Sequence, residues 1–481
     1  MCFIPFINVP YISTVMHIVN HSMKVIVSVI LLLFSSISII GQQTTPENAL
    51  HNYIHNSDTS FEWTINDSLS QDGLTIYRII FTSQTWQKMP WKHELMVMVP
   101  DKPSNSKAFL FIQGGENDDK GEPKLSPFNN GTVKAFSQIA SQNRAVTAIL
   151  SQIPRQPLFG GKVEDALTVE TLKYFEQTGD FSWPAWFPMT KGAIRAMDVI
   201  EQMTKTIGKP VDGFVVGGGS KRGWTTWLTA AMERNRVKGA VPMVIDILNM
   251  PVNVEYQKEM FGTYSEAIGD YTEAGFAEKF LSKEGQILIK MIDPYSYRSL
   301  VDMPKLIVNA TNDQFWTVDA IKNYLGEIPG LNRITYVPNV NHGLGDKIEA
   351  LSATSAFFHF IASAEEMPNP IYTIVADKSK MSIHAKVQTE DLIDIHIWYA
   401  DSQSKDFRQS TFHKKSLTIP LKNEMQIDVD YPSTGFRAFY VAFEYKHPTS
   451  GKTYNLCSRM YVASTEQLFD KPYRPNRGES H

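Results

Sequence analysis

Cysteine is nearly missing from this chain. Of its 481 residues only Cys2 and Cys457 carry a thiol. If the N-terminal segment is removed a single thiol remains, which excludes an intramolecular disulfide and a cysteine-based metal site. An excess of positive charge is missing as well. The 46 Lys and Arg face 50 Asp and Glu, for a formal net charge of −4. No Lys/Arg block stands out, so nothing points to a nucleic-acid partner. What is present is an ordinary globular balance, 43% hydrophobic and 20% charged residues, in a chain long enough for two or three domains.

The N-terminus has the layout of an export signal. Lys24 precedes an apolar stretch from Val25 to Phe34, then small residues (Ser35, Ser36, Ser38, Gly41), then a polar start at Gln42. This reads as a signal peptide over residues 1–41, with Met23 as an alternative start. Val25 to Ile40 is shorter than the about 20 apolar residues of a spanning helix, so no stable membrane insertion is expected after removal. No cysteine follows the stretch, which argues against a lipoprotein. A periplasmic or secreted protein is expected.

The segment Val215-Val216-Gly217-Gly218-Gly219-Ser220-Lys221-Arg222-Gly223-Trp224 reads as strand, sharp turn, helix, with a serine at the tip of the turn. That is the layout of a nucleophile elbow, where small neighbours let the serine hydroxyl stand clear of the sheet. It departs from G-x-S-x-G, because Arg222 stands where the second glycine falls and Gly223 comes one residue later. The plainer alternative is a glycine-rich turn that only packs closely.

Two downstream loops supply partners in the order such hydrolases use. Pro304 to Ala310 reads as a buried strand, followed by Thr311-Asn312-Asp313-Gln314; Ile334 to Val337 is another, followed by Asn339-Val340-Asn341-His342-Gly343. Serine is a poor nucleophile until a base takes its proton; neutral imidazole does so, and a carboxylate fixes its tautomer. Ser220, Asp313 and His342 are therefore the candidate triad. Taken singly, Asp313 could be a helix cap and His342 a loop histidine. Asp246, after the strand following the serine, is an alternative acid or an N-cap. Upstream, Ala108 to Ile112 ends in Gln113-Gly114-Gly115-Glu116. This places Gly114 and Gly115, with the N–H of Lys221, as the candidate oxyanion hole.

Eight strands alternate with helical patterns. The strands lie at 75–81, 93–99, 109–112, 146–150, 214–217, 240–245, 306–310 and 334–337. Helices are expected at 133–142, 192–204, 225–234, 319–324 and 348–362. This predicts an α/β-hydrolase fold over residues 42–366, a mostly parallel sheet covered on both faces. Two excursions, about 152–190 and 246–302, interrupt it as helical and aromatic cap insertions. In the first, Trp183 and Trp186 are candidate walls of the substrate site, although buried aromatics more often fill core. Lys221 and Arg222 could read an anionic group or pair with acids such as Glu116 or Asp118; Glu116 and Arg222 are kept as candidate substrate contacts.

After Pro368-Asn369-Pro370, read as a linker or domain entry, period-two alternation dominates, as in Ile393, Ile395 and Ile397 and in Phe439, Val441 and Phe443. Residues 367–466 are expected to form a β-sandwich of the immunoglobulin or fibronectin kind, and 467–481 a flexible tail. No His/Asp/Glu cluster there shows metal-ligand spacing, and no metal or other cofactor is expected.

Four stretches carry a resemblance: Gly218 to Trp224; Thr82 to Trp86 with Trp91 and His93; Pro242 to Asn249; and Asn309 to Phe315. Over nearly the whole mature chain the sequence resembles the PhoPQ-activated pathogenicity-related proteins. The resemblance implies an exported protein of α/β-hydrolase type, related in fold to serine esterases and peptidases, with Ser220, Asp313 and His342 matching the triad. It implies no substrate. The expected activity is a serine hydrolase acting on a small-molecule, peptide or glycan ester or amide. The alternatives are a non-catalytic secreted signalling or binding protein and a carbohydrate esterase.

Overall fold

The computed structural model describes Met1 and residues 43–417 and 423–474; the export signal expected over residues 1–41 lies outside them. Among the described residues no helix is long and apolar enough to cross a membrane.

The chain from Pro46 onward forms one unit. After a short helix α1 (Ala49–Ile54), it opens with three antiparallel strands, β1 (Glu62–Gln71), β2 (Leu74–Trp86) and β3 (Met89–Pro100). The central strands follow as β4 (Lys107–Ile112), β5 (Val146–Leu150), β6 (Gly213–Gly219), β7 (Val237–Met243), β8 (Lys305–Ala310) and β9 (Asn332–Val337). Their order is β1-β2-β3-β5-β4-β6-β7-β8-β9. β3 is antiparallel to β5 and the remainder run parallel. The carboxyl ends of the parallel strands therefore share one edge, where open α/β sheets place their ligands.

β1 was not expected. Its alternation of Trp63, Ile65 and Leu69 is broken by Asp67 and diluted by polar residues, and nearly all its positions are exposed, so the period-two signal is weak.

Helices cover both faces because the strands are apolar on both. Leu110, Ile112 and Val216 pack with α4 (Trp186–Thr206) and α5 (Lys221–Met232). Alternate residues Phe109, Val215, Val241 and Val308 pack with α2 (Gly131–Asn143) and α10 (Ile348–Ser363) on the other side. The first excursion folds as α3 (Glu164–Thr178) followed by α4. The second contributes α6 (Met250–Phe261), α7 (Gly269–Glu273), α8 (Phe276–Lys279) and α9 (Gln286–Ile292). The helix expected at 319–324 is only a short 3-10 turn, Ala320–Asn323.

The C-terminal region is a β-sandwich. One layer is β10 (Ile371–Ala376), β11 (Met381–Lys386) and β14 (Glu424–Val429). The other comprises β12 (Leu392–Ser402), β13 (His413–Leu417), β15 (Phe436–Lys446), β16 (Thr453–Cys457) and β17 (Tyr461–Ala463). Ile383 and Ile427 pack against Ile395, Phe439 and Phe443 to fill the space between. The sandwich is not held by a linker. β16 pairs with β9 through Cys457 and Ile334, so the large sheet continues into it. The Pro-Asn-Pro entry is pinned, since Arg333 donates to the carbonyls of Met367 and Pro368 (2.9 and 3.0 Å).

The tail also differs from expectation as far as residue 474. Lys322 Nζ donates to the Phe469 carbonyl, Arg459 to that of Asp470, and the Tyr473 N–H to Asn323 Oδ1. These bonds dock a polar segment whose composition alone suggested fraying.

Candidate active site

Ser220 sits between β6 and α5 with φ +57° and ψ −126°, a strained conformation for a residue with a Cβ. Its N–H donates to the carbonyl of Met243 at 2.9 Å. The glycines around it have steric causes. A Cβ on Gly218 would meet the carbonyl oxygen of Ile112 at 2.8 Å and Arg222 Cβ at 2.9 Å. One on Gly223 would meet the Met243 carbonyl oxygen at 2.8 Å and that of Gly218 at 2.9 Å. Gly218 thus makes room for Arg222, and the second obligatory glycine falls at 223.

Asp313 and His342 are brought together by the loops after β8 and β9. His342 Nδ1 lies 2.8 and 3.0 Å from the two carboxylate oxygens of Asp313. A carboxylate only accepts, so Nδ1 carries a proton, and in the neutral ring Nε2 then keeps its lone pair. Nε2 is buried and has no hydrogen-bond partner among the described residues. Asp313 also caps the Phe315 N–H (2.8 Å), the His342 N–H donates to Gln314 Oε1 (3.1 Å), and the Phe315 ring covers the imidazole at 4.2 Å. The helix-cap and triad-acid readings of Asp313 are therefore compatible in geometry.

Asp246 does not reach His342. It is fully buried and takes a short hydrogen bond from the Tyr324 hydroxyl. Burial raises its carboxyl to about 7 against the pull of Tyr324 and Asn309, and Asp313 adds to the rise.

The Gln113–Gly115 loop is fastened through its carbonyls. Gln152 N–H donates to Gly114 (3.1 Å) and Ile153 N–H to Gln113 (3.3 Å). The N–H groups of Gly114 and Gly115 are left without acceptors among the described residues. The N–H of Lys221, first in α5, has no intrahelical acceptor by construction.

Arg222 does not face outward as a substrate contact. Its guanidinium binds Glu164 through two bonds (2.6 and 2.8 Å) and donates through Nε to the Ile153 carbonyl. A Cβ at Gly114 would lie 2.5 Å from its Nη2. Lys221 Nζ pairs with Asp165 at 2.5 Å. Burial raises the Glu164 carboxyl, but Arg222 and Lys221 outweigh that and hold it at about 2. The expected partners Glu116 and Asp118 are not used; Glu116 pairs with Lys124 on the surface. Glu164 and Asp165 were missed because no local pattern links the start of α3 to the elbow.

Trp186 is corrected. It is 0% exposed and packs on Trp224 at 4.7 Å, as core. Trp183 stacks on Tyr174 (4.5 Å) and meets Trp86 edge-on (5.5 Å) at the rim of the same core.

A hydrogen-bonded serine–histidine pair outside the candidate triad, Ser83 Oγ to His93 Nε2 at 2.9 Å, is fully buried. His93 Nδ1 faces the Ser151 carbonyl, so it carries the proton and Ser83 donates. Burial lowers His93 to about 4. This pair is structural.

One group among the described residues has metal-ligating geometry: Asp394, His396 and Glu444. Sequence spacing hid it, because Glu444 joins through the pairing of β15 with β12. Lys414 Nζ lies 3.8 Å from both carboxylates, so the acids already face a cation.

The sheet order and crossovers define an α/β-hydrolase carrying a C-terminal β-sandwich. The chain belongs to the PhoPQ-activated pathogenicity-related protein family, whose profile matches residues 50–408. It is 28% identical over 449 residues to Autocrine proliferation repressor protein A of Dictyostelium discoideum, covering 86% of this chain and 88% of that protein. Solved structures similar to it include an acetyl xylan esterase from a Paenibacillus species (TM-score 0.45, 14% identity, 67% of this chain and 93% of the other). Another is an S-formylglutathione hydrolase from Agrobacterium tumefaciens (TM-score 0.39, 15% identity, 62% and 99%).

Proposed function

We propose that this protein is an exported serine hydrolase that cleaves an ester or amide through an acyl-enzyme. The observation that carries the reading is the Asp313–His342 pair, which holds the imidazole proton on Nδ1 and leaves Nε2 as a base. In this reading Ser220 Oγ adds to the carbonyl carbon while Nε2 takes its proton. The N–H groups of Lys221, Gly114 and Gly115 donate to the developing oxyanion. The tetrahedral intermediate collapses, the leaving group takes the proton from His342, and water then hydrolyses the acyl-serine by the same steps in reverse. Export rests on the apolar stretch behind Lys24 and its small-residue end.

The test is labelling of the mature protein by a fluorophosphonate, beside Ser220→Ala and His342→Ala. Labelling that both substitutions abolish is the expected result. A folded wild type that stays unlabelled would move the non-catalytic binding-protein reading ahead.

A further inference from the structure

The β-sandwich carries a side-chain cluster that the hydrolase reading does not use. On β12 and β15, Asp394 and Glu444 are paired directly, and Ile395 pairs with Phe443 beside them. Ile395 and Phe443 fill the space between the two layers. Side chains alternate along a strand, so Asp394, His396 and Glu444 share the face turned away from that space. Sheet pairing sets His396 opposite Ser416 of β13 and Glu444 opposite Asn455 of β16.

A nitrogen of His396 and one carboxylate oxygen from each acid lie within 4.8 Å of one another. His396 is 1% exposed, and its Nδ1 is buried with no hydrogen-bond partner among the described residues. A buried polar atom left unpaired is costly. Asp394 Oδ2 stands 3.4 Å from it, yet the two make no hydrogen bond. Two donors on one tetrahedral zinc ion, each about 2.0–2.2 Å from the metal, stand about 3.4 Å apart. The spacing of Asp394 Oδ2 and His396 Nδ1 is therefore that of two ligands of one ion. Asn455 adds a second orphan beside Glu444. Its Nδ2 donates to Glu349 of α10 (2.6 Å), while its Oδ1 is buried without a partner among the described residues.

Lys414 already faces the acids but does not complete the group. Its Nζ stands 3.8 Å from Asp394 Oδ2 and from Glu444 Oε2, beyond hydrogen-bond reach. One ammonium leaves one of the two carboxylate charges uncompensated, and Glu349 is a further acid close enough to feel both Glu444 and Lys414. Asp394 is oriented by the Ile395 N–H on Oδ1 (2.8 Å) and by the Ser416 hydroxyl on Oδ2 (3.3 Å). The Lys414 side chain is partly exposed, and its flexible stem lets the ammonium withdraw into water.

We propose that Asp394, His396 and Glu444 bind a divalent transition-metal ion of the zinc class, which displaces the Lys414 ammonium and ties β12 to β15. The donor set decides the class. An imidazole nitrogen beside two carboxylates suits zinc and its neighbours, whereas calcium and magnesium take oxygen ligands. Glu444, partly exposed, closes on the ion by rotating about its own side-chain bonds. Three protein ligands leave a fourth tetrahedral position for water. The inference goes beyond the serine-hydrolase reading and does not depend on it.

The experiment titrates Zn²⁺ into the EDTA-treated, mature full-length protein by calorimetry, beside Glu444→Gln and Lys414→Ala. Both substitutions fall on partly exposed side chains, and circular dichroism checks that the variants are folded. Wild type is expected to bind one equivalent at this site. Glu444→Gln should weaken that binding at least about 100-fold, because a direct ligand is worth more than an outer-shell partner, whose loss costs about 10- to 100-fold. Lys414→Ala removes the competing charge and should tighten binding about tenfold, the scale of one charge about 4 Å away in water. An excess of Ca²⁺ should not displace the zinc. No binding by wild type overturns the inference. So does zinc held equally by wild type and Glu444→Gln, which would place it elsewhere, as on the exposed His51–His55 pair of α1. Binding by Lys414→Ala alone would make Lys414 the resident cation and overturn it too.

Discussion

Asp313 holds His342 through both carboxylate oxygens, at 2.8 and 3.0 Å from Nδ1. An amide in place of the carboxylate can present N–H₂ to that nitrogen and favour the tautomer with its proton on Nε2. Asp313→Asn is therefore expected to lower kcat on a p-nitrophenyl ester by about 10³–10⁴, the scale seen when a triad loses the right tautomer. Circular dichroism and melting should show a folded protein. A loss below about tenfold would show that Asp313 does not orient the base.

The elbow glycines divide into those with contacts and one without. Gly223→Ala drives a Cβ into the Met243 carbonyl, the same oxygen that accepts the Ser220 N–H. Overpacking of that kind costs about 1–3 kcal/mol, so Tm should drop and fluorophosphonate labelling should slow. At Gly219 the nearest atom to an added Cβ is 3.8 Å away, and Gly219→Ala should leave Tm near wild type. Equal melting of the two variants would contradict this account of the turn.

Arg222 ties the elbow to the candidate oxyanion loop. Its guanidinium lies against Gly114 and is oriented by Glu164, itself held at φ +50°. Glu164→Gln keeps the shape of the partner and removes its charge, so the loop should loosen. The expected result is kcat lowered about 10- to 100-fold, the cost of a small misplacement of reacting groups, with Ser220 still labelled and KM little changed. A kcat equal to wild type would remove Arg222 and Glu164 from the positioning of the loop.

Much of this arrangement was legible in the sequence because its signals are local. A β-branched run ending in glycines marks an elbow wherever the chain reverses from strand to helix, and the loops bearing Asp313 and His342 follow short buried strands. The alternation of Phe439, Val441 and Phe443 announces a sandwich strand for the same reason. What was not legible depends on residues far apart in the chain. The pairing of Arg222 with Glu164 and the Asp394–His396–Glu444 group need the sheet to be assembled first. Trp186 was misjudged because composition gives the same signal for an aromatic wall and an aromatic core. Burial against Trp224 decides between them.

Asp246 gives stability a pH dependence opposite to that of a salt-bridged acid. Burial raises its carboxyl from 3.8 to about 7 in the folded protein. Between these values the folded state holds a proton that the unfolded chain has released. By linkage, stability falls as pH rises through that window and levels off above about 7. The slope for one group is on the order of 1 kcal/mol per pH unit. Asp246→Asn keeps an acceptor for the Tyr324 hydroxyl and cannot ionise, so it should lose this dependence. Asp293, also raised to about 7 by burial, is present in both proteins and cancels in the difference. Urea unfolding at pH 5, 6, 7 and 8 should therefore show the variant gaining on wild type up to about pH 7 and no further. A constant difference across the series would mean that Asp246 titrates alike in the folded and unfolded chain.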